Sequence, residues 1–314
     1  MTATTSKADS PQPGTRRGLR RFLASDNPAA WLMLAPALVL LAWWYAVPIV
    51  ESVVLSFQHV AEFNFGQRSF AGLQNYRQLI SDPAFHKSLE ITGAFVLGVV
   101  PAQTVLALLI AALLHSVSRA QGAFRTAYFV PYMTSTIAIT TIFMQLFVKG
   151  GVAATALSVV GIPNQTWYAS THLALAFLVV VYVYMFVGLY IVIFAGGMET
   201  IPKDLYEAAS IDGAGPFRQF WSVTLPGIRP FMAFVLVTGI IQAVQVFDQA
   251  YVIAGGTVLG SPAGATSTIV IFIYQEAFRL LDIGYASAAT VVLLACMIIL
   301  GLISRRFTPR GDRL

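Results

Sequence analysis

Between Ile240 and Gly256 the sequence IIQAVQVFDQAYVIAGG sets four polar side chains in an otherwise apolar run. At about 100° per residue on an unbroken helix, Gln242, Gln245 and Gln249 fall within roughly 60° of one another, and Asp248 lies roughly 60° outside that arc. Amides and a carboxylate hydrogen-bond hydroxyl groups. Phe247 and Tyr251, with Tyr182, Tyr184 and Tyr190 from an earlier segment, offer aromatic faces to the C–H surface of the same solute. This is chemistry for holding a polyhydroxylated molecule, not for breaking a bond in it. A polar face is costly against lipid, so it must line a pathway or meet another helix as interhelical glue; local capping is the third use.

A second group lies in Thr200–Pro230, TIPKDLYEAASIDGAGPFRQFWSVTLPGIRP, a charged stretch between two apolar runs. Pro202 suits the first turn of a helix, where its missing N–H costs nothing. Lys203 to Asp212 read as a short helix, and Gly213 is a left-handed stop. A second short helix fits Pro216 to Val223, before Pro226 and Pro230 punctuate the next run. Glu207 stands beside Ala208, Ala209 and Ser210. Small neighbours permit close approach of another surface, and the carboxylate offers a directional pair to an incoming Arg.

Other chemistries are missing from the sequence. There is no G-x-x-x-x-G-K-[ST] phosphate loop and no Gly-Lys dipeptide. Nor is there an HExxH, a nucleophile motif or a cluster of metal ligands. Cys296 is the one cysteine, which excludes an intramolecular disulfide. His59, His86, His115 and His172 are scattered, and Glu51, Glu90 and Glu276 fall near predicted helix ends. No catalytic, cofactor or metal site is expected.

The elements that carry these residues follow from composition. Hydrophobic residues make up 57% of the 314 and charged ones 11%, against roughly 25% charged in soluble domains; the mean hydropathy is +0.73. Lipid must be part of the solvent. A helix needs about 20 apolar residues to cross it, and six segments qualify: 31–56, 89–115, 126–148, 171–197, 230–254 and 283–304. Residues 1–29 form a polar tail, 30–304 the membrane domain with the loop 199–229, and 305–314 a second tail. Placing both tails and the loops 116–125 and 198–229 in the cytoplasm puts 14 of the 19 Lys and Arg there, the positive-inside pattern. The net charge of +5 therefore reports topology, since no basic patch with aromatics points to nucleic acid. An amphipathic helix with Leu73, Tyr76, Leu79 and Ile80 on one face is expected in the first outer loop. Short helices are expected over Val152–Val160 and Ile269–Leu281. Gly93, Gly98, Gly188, Gly196, Gly197 and Gly239 favour close helix approach, and Pro36, Pro48, Pro101 and Pro131 permit kinks.

One spacing resembles a known family. Glu207-Ala208-Ala209, then Gly213, then Val223-x-Leu225-Pro226 is similar to the EAA loop of ABC-importer permeases, with Val223 where Ile is usual. Ala35-Pro36 with Pro48 and Ser56-Phe57 resembles the first crossing of the sugar-type branch. Phe70-x-Gly72-Leu73-x-Asn75-Tyr76 resembles its first outer loop, and Phe247-Asp248-x-x-Tyr251 before Gly255-Gly256 its fifth-segment exit. Ala254 and Thr257-Val258 depart from that last pattern. The resemblance covers residues 30–305. It implies an all-α type I importer permease with six transmembrane helices and both termini cytoplasmic, in a prokaryotic cell membrane. The implied partners are a second homologous permease, an ATPase dimer at the cytoplasmic face that uses ATP and Mg, and an extracytoplasmic solute-binding protein. Glu207, Ala208, Ala209, Gly213, Leu225 and Pro226 would couple to the ATPase. Gln242, Gln245, Asp248, Gln249, Tyr251 and Tyr182 would line the pathway of a di- or oligosaccharide or related carbohydrate. Glycerol-phosphate or another small solute, and a stand-alone ion-coupled carrier, are the alternatives.

Overall fold

The computed structural model describes residues 28–61, 64–116, 121–255 and 260–307. Most of both expected tails, and Gly256 and Thr257-Val258 of the fifth-segment exit, lie outside the described residues. Contacts divide the chain into a unit ending at Glu51 and a unit running from Ser52 to Leu314.

α1 (Pro28–Leu41) passes through a five-residue π turn, Ala42–Ala46, into α2 (Val47–Leu55), whose residues up to Glu51 close the first unit. Pro48 accounts for the turn. It has no N–H to give Trp44, and the ladder slips one residue just ahead of it, so that the Val47 N–H reaches the Ala42 carbonyl. Trp31, Trp43, Trp44 and Tyr45 are exposed.

After the end of α2, the second unit contains a hairpin that an all-α reading does not. β1 (Gln58–Ala61) pairs antiparallel with β2 (Asn64–Phe70), with Gln58 opposite Phe70 and His59 opposite Ser69. Next comes α3 (Gln74–Ser81), and its inward face differs from the expected one. Leu79 is buried, but Leu73 and Ile80 are exposed, and the inward companion is Asn75. Its Nδ2 donates to the carbonyls of Ser56 and Gln58 at 2.9 and 3.1 Å. Buried backbone acceptors at the strand's start need donors, and an apolar side chain has none to give. The Tyr76 hydroxyl lies 2.7 Å from Ser56 Oγ and completes the clasp.

α4 (Pro83–Ser116) starts six residues before the segment expected from 89, and its 34 residues reach about 51 Å. The expected third span is two helices, α5 (Gln121–Met133) and α6 (Thr136–Leu146), bent by 102°. Pro131 and the extended Ser135 (φ −56°, ψ 125°) end the first helix and restart the second. α7 (Val152–Ser158) follows, and then α8 (Ala174–Glu199), the most buried span. Phe177, Val181, Tyr190 and Phe194 of α8 are fully buried. Five described helices are long and apolar enough to cross a membrane, or six if the bent pair is one span.

The glycines sort by what faces them. A Cβ at Gly188 would lie 1.8 Å from the Tyr128 carbonyl oxygen, so α5 and α8 touch backbone to backbone. At Gly239 it would meet Gln103 Nε2 at 2.7 Å, and at Gly197 the Phe231 ring at 2.7 Å. Gly93 and Gly196 have nothing within 4 Å, so close approach explains only part of the set.

Candidate functional site

The charged stretch folds as an elbow. α9 (Lys203–Ile211) starts after Pro202, which is extended at φ −59°, ψ 135°. It stops through a Schellman motif: Gly213 (φ +75°) donates to Ser210 O at 3.0 Å and Ala214 to Ala209 O at 2.9 Å. Then α10 (Pro216–Gln219) leads into a π turn, Phe220–Thr224, and the single turn α11 (Leu225–Gly227). The cause matches that at Pro48: Pro226 lacks an N–H, and just ahead of it Leu225 donates to Phe220 O. Gln219 Nε2 donates to Ser210 Oγ at 2.9 Å and to Ala214 O at 3.0 Å, and Tyr206 Oη lies 2.9 Å from Thr224 Oγ1. These bonds tie the two arms into one piece.

Asp204, Glu207, Ala208 and Ile211 share the outward face of α9 at helical spacing, and all four are exposed. Glu207 has no hydrogen-bond or ion-pair partner among the described residues. Ile211, one turn on, is an exposed apolar side chain beside it at 87%, and Leu205, at 52%, is exposed further round the helix. The elbow therefore presents an open carboxylate, small residues and two bare aliphatic groups. Such a surface suits a protein groove that supplies a cation.

The polar run sits on a helix that breaks. α12 (Arg229–Val244) ends, Gln245 and Val246 close tight turns onto Gln242 O and Ala243 O, and Phe247 lies at φ −135°, ψ −62°. The chain resumes as α13 (Asp248–Ile253). Breaking a helix frees carbonyls that need donors. One comes from Thr268, which precedes α14 (Ile269–Phe278) and whose Oγ1 donates to Val246 O at 3.1 Å. The Ile269 N–H in turn donates to Thr92 Oγ1 of α4 at 2.8 Å. The last helix, α15 (Ile283–Phe307), packs on α14.

Residues 103–313 match the family described as the binding-protein-dependent transport system inner membrane component. The chain belongs to that family. It is 30% identical to the arabinooligosaccharides transport system permease protein AraP of Bacillus subtilis, over 95% of this chain and 94% of that one. It is 29% identical to the lactose transport system permease protein LacF of Rhizobium radiobacter, over 92% and 96%. A chain in the crystal structure of a bacterial alginate ABC transporter, in complex with an alginate pentasaccharide-bound periplasmic protein, shares the fold. Its TM-score is 0.76 at 17% identity, with 95% of this chain and all of that one covered. The protein is a multi-pass membrane permease of the ABC-importer type.

Five of the permease's six expected pathway residues part company at the break, where an unbroken step of about 100° no longer holds, and the sixth, Tyr182, lies on α8. Gln245 and Asp248 are exposed on either side of it. Gln242 is half-buried and accepts from the Tyr190 hydroxyl at 3.3 Å. Gln249 turns into the core, 3.6 Å from Met185 Sδ. Tyr182 is a core ring, stacked on Phe186 at 4.4 Å and edge-on to Phe95. Tyr251 packs half-buried among rings. Of the residues expected to couple, Glu207, Ala208 and Gly213 are exposed, and Ala209, Leu225 and Pro226 are half-buried. Sequence reasoning missed Thr268 and Thr92, whose hydroxyls anchor the break, and Gln103, a fully buried amide against Gly239. No local pattern marks a Thr that serves a carbonyl 22 residues away.

Proposed function

We propose that this permease is one of two homologous membrane subunits of a type I ATP-driven importer and carries a sugar. The outward face of α9 carries the coupling half of the reading: an unpaired Glu207 among small and bare apolar side chains, on an elbow braced within itself. In this reading six helices cross a prokaryotic cell membrane, both termini are cytoplasmic, and the elbow meets an ATPase dimer. That dimer binds and hydrolyses Mg-ATP, for which this chain has no phosphate loop. Closure of the dimer pushes the elbow as a rigid body, with Glu207 as the docking anion, and Ala208, Ala209 and Gly213 give the close contact. Leu225 and Pro226 pass the push to α12. The spans then rock between inward- and outward-open states, a two-state change biased by nucleotide and by a loaded extracytoplasmic binding protein.

Relatives named for arabinooligosaccharides and lactose support a neutral di- or oligosaccharide. So do the exposed Gln245 amide and Asp248 carboxylate on either side of the break, with Gln242 just inside it. The test uses the importer purified with its ATPase and reconstituted in liposomes with the binding protein. Glu207→Ala leaves the subunit in the membrane and separates ATP hydrolysis from uptake. Uptake by the purified chain alone, driven by an ion gradient, would sink the proposal.

A further inference from the structure

Four aromatic rings meet where α13 and α14 pack. Phe247 lies 5.0 Å from Tyr274, Tyr251 is 5.6 Å from Tyr274 and 5.4 Å from Phe247, and Tyr274 is 4.9 Å from Phe278, between centroids. Core rings such as Phe95 and Phe177 are fully buried. Here Phe247, Tyr251 and Tyr274 are half-buried and Phe278 is 66% exposed. The hydroxyls of Tyr251 and Tyr274 have no hydrogen-bond partner among the described residues. Asp248, also without a partner there and exposed, precedes Tyr251 by three residues and shares its side of α13. Gln245 is exposed at the break.

A continuous aromatic ladder with exposed ring area, two unused phenols and a free carboxylate has the composition of a carbohydrate site. Flat apolar faces take the C–H side of a sugar ring, and polar groups at their edge take its hydroxyls. We propose that Phe247, Tyr251, Tyr274 and Phe278, edged by Asp248, form a stacking subsite that receives a sugar ring before it passes Gln245 and Gln242. The subsite rests on the sugar reading above and adds α14, which contributes Tyr274 and Phe278. Ring steps of 4.9 and 5.0 Å from Phe278 through Tyr274 to Phe247 let successive rings of one oligosaccharide slide along it.

The test uses the complete importer in proteoliposomes with its binding protein, with radiolabelled lactose and a set of arabino-oligosaccharides as probes. Tyr274→Leu, which keeps bulk without an aromatic face, should raise the half-saturating sugar concentration about 3- to 10-fold. Tyr274→Phe, which keeps the face and removes only the hydroxyl, should raise it less than Tyr274→Leu does. Phe278→Leu, at a mostly exposed position, should act in the same direction, more for longer probes than for the disaccharide. Basal ATP hydrolysis and the amount of assembled complex should not change. Wild-type uptake constants in both Leu variants would overturn the subsite and leave the sugar reading standing. Loss of assembly in Phe278→Leu would overturn it too, by making the ladder a protein contact. A wild-type importer inert to every neutral sugar in the set would overturn the sugar reading itself.

Discussion

Gly188→Ala is the substitution whose cost the packing defines best. The added carbon would lie 1.8 Å from the Tyr128 carbonyl oxygen and 2.7 Å from its carbon, where ordinary contact begins near 3.4 Å. The obstacle is backbone, so no rotamer change relieves it, and α5 must withdraw from α8 by about 1.5 Å. Overpacking of a rigid interface costs about 1–3 kcal/mol, and a backbone obstacle belongs at the upper end. Gly196 sits two turns further along the same helix with nothing within 4 Å, and Gly196→Ala should gain about 0.5–1 kcal/mol from helix propensity. The pair differs in sign by the same chemical change. At roughly 2 °C per kcal/mol for a chain of this size, Gly188→Ala should melt about 6 °C below wild type and Gly196→Ala slightly above it. Intrinsic tryptophan fluorescence of the detergent-solubilised protein follows both. Equal melting temperatures for the two variants would refute the backbone contact.

Three further outcomes follow from other parts of the structure. Burial, and then the Asp282 and Asp82 carboxylates, push Glu276 up to about 7; Arg279 follows it in sequence and already has an interaction of its own. A raised carboxyl favours the folded state when protonated. Its contribution is therefore full below about pH 4.5 and lost as pH rises through about 7. Between pH 5 and pH 8 wild type should lose about 1–2 kcal/mol after discounting for its half exposure, and Glu276→Gln should flatten that dependence in a melting series. Asn75→Leu removes both donors to the Ser56 and Gln58 carbonyls, for a loss of about 2–3 kcal/mol read by the same melts. Gly213→Val forces a β-branched residue to φ +75°, at about 1–2 kcal/mol; it should lower ATP-driven uptake while leaving the amount of membrane-inserted subunit unchanged.

The elbow is legible in the sequence because its signals are local: a proline before the first turn, a glycine where the helix must reverse, and small residues beside one acid. Span positions are legible because hydrocarbon thickness fixes apolar length. The break at Gln245–Phe247 is not, since no proline or glycine stands there; it is held by Thr268 reaching back to Val246 O. The hairpin 58–70 escapes notice because what secures it, Asn75, lies outside it and reads as an ordinary polar residue of a surface helix. Gln249 is placed with Gln242 and Gln245 in the sequence by a continuous step of about 100°, which the break interrupts, and Tyr182 is chosen by its ring, which does not say which way a helix is turned.

The π turn at Phe220–Thr224 fixes more than local geometry. The surplus residue is taken up there in one wide turn, with the Leu225 N–H on the Phe220 carbonyl, so the backbone on either side keeps its bearing. The compass direction of Glu207 is therefore guarded by this bulge as much as set by the acid itself. A relative one residue shorter that closed the same turn with ordinary helical bonds would hold its carboxylate on the same quadrant, whereas one that kept the bulge and lost a residue from the regular helix beside it would swing it by about 100°.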